Sequence, residues 1–272
     1  MLRQFATFSI ALLAVMMVIS SCSDSSTNST GGNPPAVPPE TSMAMDFSNF
    51  DAQSKAPNTA VQAKNNFGQA VVRAGLLKAI VDINLALPRA FLKAASESDV
   101  QYNENGEWEW AYNTSKEEND YGVRLTAARD QAGDASWNFY VTNSNLGLED
   151  ELFFSGVSMA QGTTGSWSYY SLLDAEGKGE KVSQITWAAN AENDLSLRLE
   201  VVSDRNDNLG DYIDYTFEGT TKTAVYYDAG KNQETTLEWD VETKAGSITA
   251  PGYNNGDKAC WDENFEDIPC SE

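Results

Sequence analysis

The chain has 272 residues, 41% of them hydrophobic and 21% charged, enough apolar content for one good-sized core or at most two and too much for a wholly disordered polymer. Acidic residues outnumber basic ones 40 to 18, and the formal charge of −22, if evenly spread, repels phosphate backbones and anionic headgroups alike, which argues against nucleic acid as a partner. There is no histidine, so the commonest general base and the commonest zinc and copper ligand are missing.

The first residues, Met1 to Gln4, carry one basic side chain, and an uncharged apolar run follows from Phe5 to Ile19 before Ser20, Ser21 and Cys22. As a helix this run is about 22 Å long at ~1.5 Å per residue, short of a comfortable bilayer span, so residues 1–21 are expected to be a cleaved export signal. The block Ile19-Ser20-Ser21-Cys22 resembles the lipobox of bacterial lipoproteins, an aliphatic residue and two small ones before the cysteine that is lipidated. That resemblance implies a diacylglyceryl thioether and an acylated amine on Cys22, with the membrane as partner through this N-terminal lipid. In enterobacterial lipoproteins an aspartate directly after the cysteine favours the inner membrane. Ser23 stands there in this chain, so the resemblance implies anchoring in the outer membrane. Cys22 being used in this way, Cys260 and Cys270 remain, in a compartment that permits disulfides, and are expected to be bridged. So short a loop contributes about 2–3 kcal/mol in the chain-entropy account.

From Ser23 to about Met45 the composition is Ser, Asn, Thr, Gly and Pro, and residues 22–45 are expected to be a lipidated N-terminus and disordered tether. A single globular domain is expected over 46–272, with a helix at 58–95, an antiparallel sheet at 105–250 and a disulfide-closed tail at 251–272. Val61, Phe67, Val71, Val72, Leu76, Ile80, Ile83 and Leu87 carry the helical spacing, with Asn58 or Thr59 as the cap. Pro88 is expected to kink or restart this helix. Between Ala70 and Leu87 apolar residues fall on nearly every face, which predicts burial all round.

Beyond residue 105 the period becomes two. Leu195, Leu197, Leu199 and Val201 alternate with Ser196, Arg198 and Glu200, and Leu237, Trp239 and Val241 alternate with Glu238, Asp240 and Glu242. Turn clusters separate about ten or eleven such runs at hairpin spacing, without a helical crossover. The fold class is α+β, mainly β: a curved antiparallel meander sheet, an open or half barrel, with the N-terminal helix packed on its concave face.

The apolar strand positions include Trp108, Trp110, Trp137, Phe139 and Trp239, candidates to line a cavity between sheet and helix, or else to form a core packed against the helix. Consecutive aromatics at Phe153-Phe154, Tyr169-Tyr170 and Tyr226-Tyr227 place one ring of each pair outward, as a contact strip. Asp204, Asn206, Asn208 and Asp211 offer oxygens at near-alternate positions, as a calcium loop would, but Leu209 and Tyr215 occupy the places where an EF-hand needs glycine and glutamate. Beyond calcium no cofactor is expected. Carboxylate pairs such as Glu107 with Glu109 fall on the acidic face of the sheet, and no nucleophile motif accompanies them, so the reading is non-catalytic. The expected architecture resembles the half-barrel lipoprotein and lipid carriers of the Gram-negative envelope, which implies an acyl chain held by the concave aromatics beneath a helical lid. Two expectations follow: a non-catalytic envelope lipoprotein that holds a hydrophobic or acyl ligand, or a structural one with a filled core that meets an envelope protein.

Overall fold

From Val100 onward the alternating sequence builds strands one after another, each pairing antiparallel with the one before it. The computed structural model describes residues 32–54, 65–116, 119–160, 162–173, 177–190, 194–205 and 207–270. The strands are β1 (Val100–Tyr102), β2 (Trp108–Lys116), β3 (Asn119–Arg129), β4 (Ala135–Asn143), β5 (Leu148–Ser158), β6 (Thr164–Tyr170) and β7 (Lys181–Ala189). They continue as β8 (Leu195–Val201), β9 (Tyr212–Glu218), β10 (Thr221–Asp228), β11 (Gln233–Asp240), β12 (Gly246–Thr249), β13 (Ala259–Trp261) and β14 (Asp267–Ile268). Spatial order equals chain order, so the sheet is one open 14-stranded antiparallel meander. It has more strands than the ten or eleven expected, because β1 and β12 to β14 are only two to four residues long. A strand that short shows no period.

Among the described residues two α-helices precede the sheet, α1 (Ser48–Ser54) and α2 (Asn66–Ser96). Asn65 caps α2, its side chain accepting a hydrogen bond from the Gly68 amide at 2.8 Å, whereas the expected caps Asn58 and Thr59 lie outside the described residues. The helix does not restart at Pro88: α2 runs through it as one element. The bond that Pro88 forfeits is the one to the carbonyl of Asn84, an exposed residue that water can reach, while buried Leu85, Phe91 and Leu92 hold both sides of the proline against the sheet.

Burial all round is also corrected. One face of α2 is buried through Ala70, Ala74, Leu77, Val81, Leu85 and Leu92, but Val72, Leu76 and Ile83 on the opposite face are 58%, 59% and 84% exposed. The helix, about 46 Å long at ~1.5 Å per residue, touches both ends of the sheet: its start meets β12 and β13, its end β2. Phe67 stacks on Phe265 at 4.1 Å and meets Trp261 edge-on at 5.6 Å, while Phe91 meets Tyr121 at 5.5 Å and its carbonyl accepts from the Tyr112 hydroxyl at 2.5 Å. For both ends to reach one helix, the sheet must curve around it.

The segment expected to be a disordered tether is in part a strap across the concave face, so the packed body starts before residue 46. Pro35, Pro38, Ser42, Met43, Met45, Phe47 and Phe50 are all buried. The strap crosses the sheet in strand order. The Arg129 guanidinium of β3 donates to the Pro34 carbonyl at 3.4 Å, the Trp167 indole of β6 to the Ser42 hydroxyl at 3.2 Å, and Lys222 of β10 to the Asp46 carboxylate at 2.6 Å. It ends with Asn49 accepting from the Trp239 indole at 3.3 Å and Phe50 stacking on Phe67 of α2 at 6.0 Å.

Cys260 and Cys270 form a disulfide with their Cα atoms 5.2 Å apart. The tail they close is what seats the start of α2. Asn66 donates its backbone amide to the Asp267 carboxylate at 2.8 Å and its side-chain amide to the Cys260 carbonyl at 2.7 Å, and the Asn65 side chain donates to the Phe265 carbonyl at 3.1 Å.

Candidate functional site

The five aromatic candidates all point to the concave side, and all are buried: Trp108 is 7% exposed, Trp110 4%, Trp137 and Trp239 1%, and Phe139 0%. Four of them sit at one end of the sheet. Trp110 lies against Trp137 at 5.7 Å, Trp108 against Tyr102 at 4.9 Å, and Phe139 is stacked on Phe154 at 3.9 Å. The Trp137 indole donates to the Ser158 hydroxyl at 2.9 Å. Trp239, on β11, is not with the others but packs on the strap, meeting Phe50 edge-on at 5.0 Å and Phe47 at 6.0 Å. Their places are those of core residues, ring against ring and ring against strap. The covering residues Met43, Met45 and Phe47 are what sequence reasoning missed. Their period-two spacing was the available signal, standing at the end of a segment whose composition reads as linker.

Two tryptophan rows depend on glycine. Gly156 on β5 is the direct cross-strand partner of both Trp137 and Trp167, and a Cβ there would stand 2.2 Å from a Trp167 ring carbon and 2.4 Å from the Ser166 carbonyl. Gly246 stands likewise between Trp239 and Trp261, with the Trp261 ring 2.5 Å from where a Cβ would be. Each glycine leaves the trough into which an indole lies flat.

The outward contact strip is corrected in one of its three pairs. A register shift in the β4–β5 pairing, Phe139 opposite Phe154 but Tyr140 opposite Leu152, leaves Phe153 unpaired. Phe153 packs on Phe91 of α2 at 6.1 Å, so both rings of Phe153-Phe154 serve the inside. On the outer face, Arg198 covers Tyr212 at 3.7 Å and pairs with Asp214 at 2.7 Å, while Tyr212 stacks on Tyr227 at 5.1 Å. Arg124 covers Tyr140 at 4.0 Å and pairs with Asp150 at 2.6 Å. Outward tyrosines thus carry arginines that offset part of the acidic face.

Of the four calcium candidates, Asp204, Asn208 and Asp211 lie among the described residues. Both oxygens of Asp211 are engaged, one accepting from the Ala229 amide at 2.8 Å and the other from the Tyr226 hydroxyl at 3.1 Å. Burial and this neighbouring carboxylate push the Tyr226 phenol up to about 12. Asp204 is exposed, and Asn206 lies outside the described residues. Asp204 and Asn208 do share an open groove of about 800 Å³ with Ile83, Asn84 and Glu180, beside α2. Among the described residues no group of three or more His, Cys, Asp or Glu side chains is placed to hold a metal ion.

The most depressed carboxylate is a turn cap rather than a reactive acid. Asp240 is held at about 2 by the Thr220 hydroxyl, by the Thr243 amide and hydroxyl and by the Glu242 amide, all donating to it. Tyr169 is buried on the concave side with its hydroxyl unpartnered among the described residues, and loss of solvation raises its pKa well above that of a free phenol. Residues 1–21, expected to be an export signal, and Cys22 lie outside the described residues, and among those described no helix is long and apolar enough to cross a membrane. No protein-family model, no curated protein and no solved structure matches the chain.

Proposed function

We propose that this chain is an exported lipoprotein, anchored through Cys22 in the bacterial cell envelope, whose globular part is a non-catalytic structural or interaction module rather than a carrier of an acyl ligand. One observation carries the choice between the two: the concave face is already occupied. The strap and α2 cover it from β3 to β13, and the aromatics that would line a ligand cavity are 0–7% exposed. An acyl chain would have to displace Met43, Phe47 or α2, and burying the ligand would be offset by exposing as much of the protein's own apolar surface. The non-catalytic part of the reading is supported by the acids, which serve as turn caps and as partners of surface arginines and lysines. The anchored part rests on the lipobox resemblance.

Two measurements test it on the full chain in an exporting host. Metabolic labelling with an alkyne fatty acid is expected to mark the wild-type protein and to be lost in Cys22→Ala; equal labelling of both overturns the anchor. Brominated fatty acids titrated into the purified protein are expected to give no saturable quenching of tryptophan fluorescence. Saturable quenching that weakens in Trp137→Phe restores the carrier reading.

A further inference from the structure

A helix that is apolar on all sides needs cover on all sides, and α2 receives it on one. Val72, Leu76, Ala79 and Ile83, spaced four, three and four residues apart, form a single stripe along the outer face, and the three large side chains are 58%, 59% and 84% exposed. Among the described residues nothing covers this stripe. On α2 itself the flanks are basic: the helix holds Arg73, Lys78, Arg89 and Lys93 against the single acid Asp82, with Glu180 and Asp204 bordering the groove beside Ile83, whereas residues 97–272 hold eleven basic and thirty-five acidic side chains. Asp82 is shared by Lys78 at 2.6 Å and Arg89 at 2.7 Å, so the helix keeps a net positive charge on a strongly negative molecule.

That charge pattern selects the occupant. A second copy would set basic helix on basic helix and bring two acidic bodies together, while an anionic surface attracts the helix and repels the sheet. An apolar stripe with basic side chains beside it is the composition of a helix that lies in the plane of a membrane interface, its long cationic side chains reaching back to the headgroups. We propose that the outer face of α2 docks on an anionic phospholipid bilayer and turns the acidic sheet away from it. The proposal takes its setting from the anchored reading, because the ten residues from Cys22 to Gly31 span at most about 33–36 Å and would hold the domain within reach of the bilayer carrying the lipid.

The test uses the mature lipidated chain in mixed phosphatidylcholine and phosphatidylglycerol vesicles, with a polarity-sensitive dye on Leu76→Cys, Ile83→Cys or, on the outer face of the sheet, Thr186→Cys. All three positions are exposed, so each variant keeps its core. Spin-labelled phospholipid is expected to quench the dye at 76 and 83 and not at 186, with the quenching lost when phosphatidylglycerol is omitted. Dye at 76 that stays in water with vesicles present overturns the proposal. So does dye shielded in detergent before any lipid is added, with cross-linking between copies meaning a second copy covers the stripe and its absence meaning a segment of the same chain does. Mass analysis of the N-terminal peptide reports the anchor separately. If Cys22 proves bare, flotation of the unlipidated protein with anionic vesicles still supports docking, and Leu76→Glu with Ile83→Glu is then expected to weaken it about a hundredfold, roughly tenfold for each large aliphatic residue no longer buried.

Discussion

The smallest unit that holds this sheet together is a tryptophan lying across a glycine. Gly156 is the cross-strand partner of both Trp137 and Trp167, and a Cβ there would meet the Trp167 ring at 2.2 Å and the backbone carbonyl of Ser166 at 2.4 Å. Backbone cannot rotate away as a flexible side chain would, so Gly156→Ala is expected to cost about 2–3 kcal/mol through overpacking, read as a lower denaturation midpoint at unchanged m-value. A midpoint within error of wild type would mean that strands β5 and β6 separate more easily than their packing indicates. A second contact at this scale is Lys222, whose side chain is 7% exposed and whose amine reaches Asp46 at 2.6 Å, with Asp46 itself 56% exposed. Partial burial alone would raise the Asp46 carboxyl, but hydrogen bonds from Lys222 and Ser48 and the lysine charge outweigh it and hold the group below its ordinary value. A carboxylate depressed by folding stabilises fully above its unfolded pKa and loses that contribution as pH falls through the folded one. Asp46→Asn is therefore expected to cost about 1–2 kcal/mol at neutral pH, less than for a fully buried pair because water screens the acid, and the gap from wild type should close on acidification below about 4. A gap constant with pH would assign the loss to packing rather than to charge.

Elements were legible in proportion to their length. The long strands are plain in the alternation at Leu195–Val201 or Ile213–Phe217, because one face meets the core and the other water. The strap was not, because Met43, Met45 and Phe47 alternate over too few residues, directly after a run of Pro, Gly and Ser. For α2 the apolar spacing located the helix, but a sequence apolar on every face carries no sign of which face the sheet takes. The candidate site divides in the same way. That Trp108, Trp110, Trp137, Phe139 and Trp239 face inward follows from strand period, whereas whether they line a hollow depended on chain from residues 35–50 folding back over them. The tail gives the test at this scale. Cys260–Cys270 fixes the loop that carries Phe265 and Asp267, which seat Phe67 and the Asn66 amide of α2. Reduction, or Cys260→Ser with Cys270→Ser, is expected to lower stability by about 2–3 kcal/mol. Amide exchange should accelerate first at the start of α2 and not at its end near Tyr112. Uniform acceleration would show the bridge acting only through the unfolded chain.

For the molecule as a whole, the sheet separates its surroundings into an apolar concave side and an acidic convex one. Apolar material from three parts of the chain, the strap, α2 and the tail, converges on the first, while the second carries much of the formal charge of −22. Pairs such as Arg198 with Asp214 and Arg124 with Asp150 relieve this charge locally, but with 18 basic residues against 40 acidic ones most acids have no cation to meet. Self-repulsion therefore opposes the compact state, and salt should relieve it: the Debye length falls from ~30 Å at 0.01 M to ~3 Å at 1 M, shorter than the spacing between strands two apart on the same face. Melting temperature is expected to rise with sodium chloride, steeply at first and then level once screening is complete. Sodium sulfate separates this from general salting-out, since exclusion of sulfate from protein surface strengthens burial continuously. A chloride curve that follows the sulfate curve without levelling would mean that burial, not screening, is being strengthened. Charge-neutralising substitution on the convex face, Glu218→Gln with Glu234→Gln, should then raise the melting temperature at low salt and leave it unchanged at high salt, a difference that no change in core packing would produce.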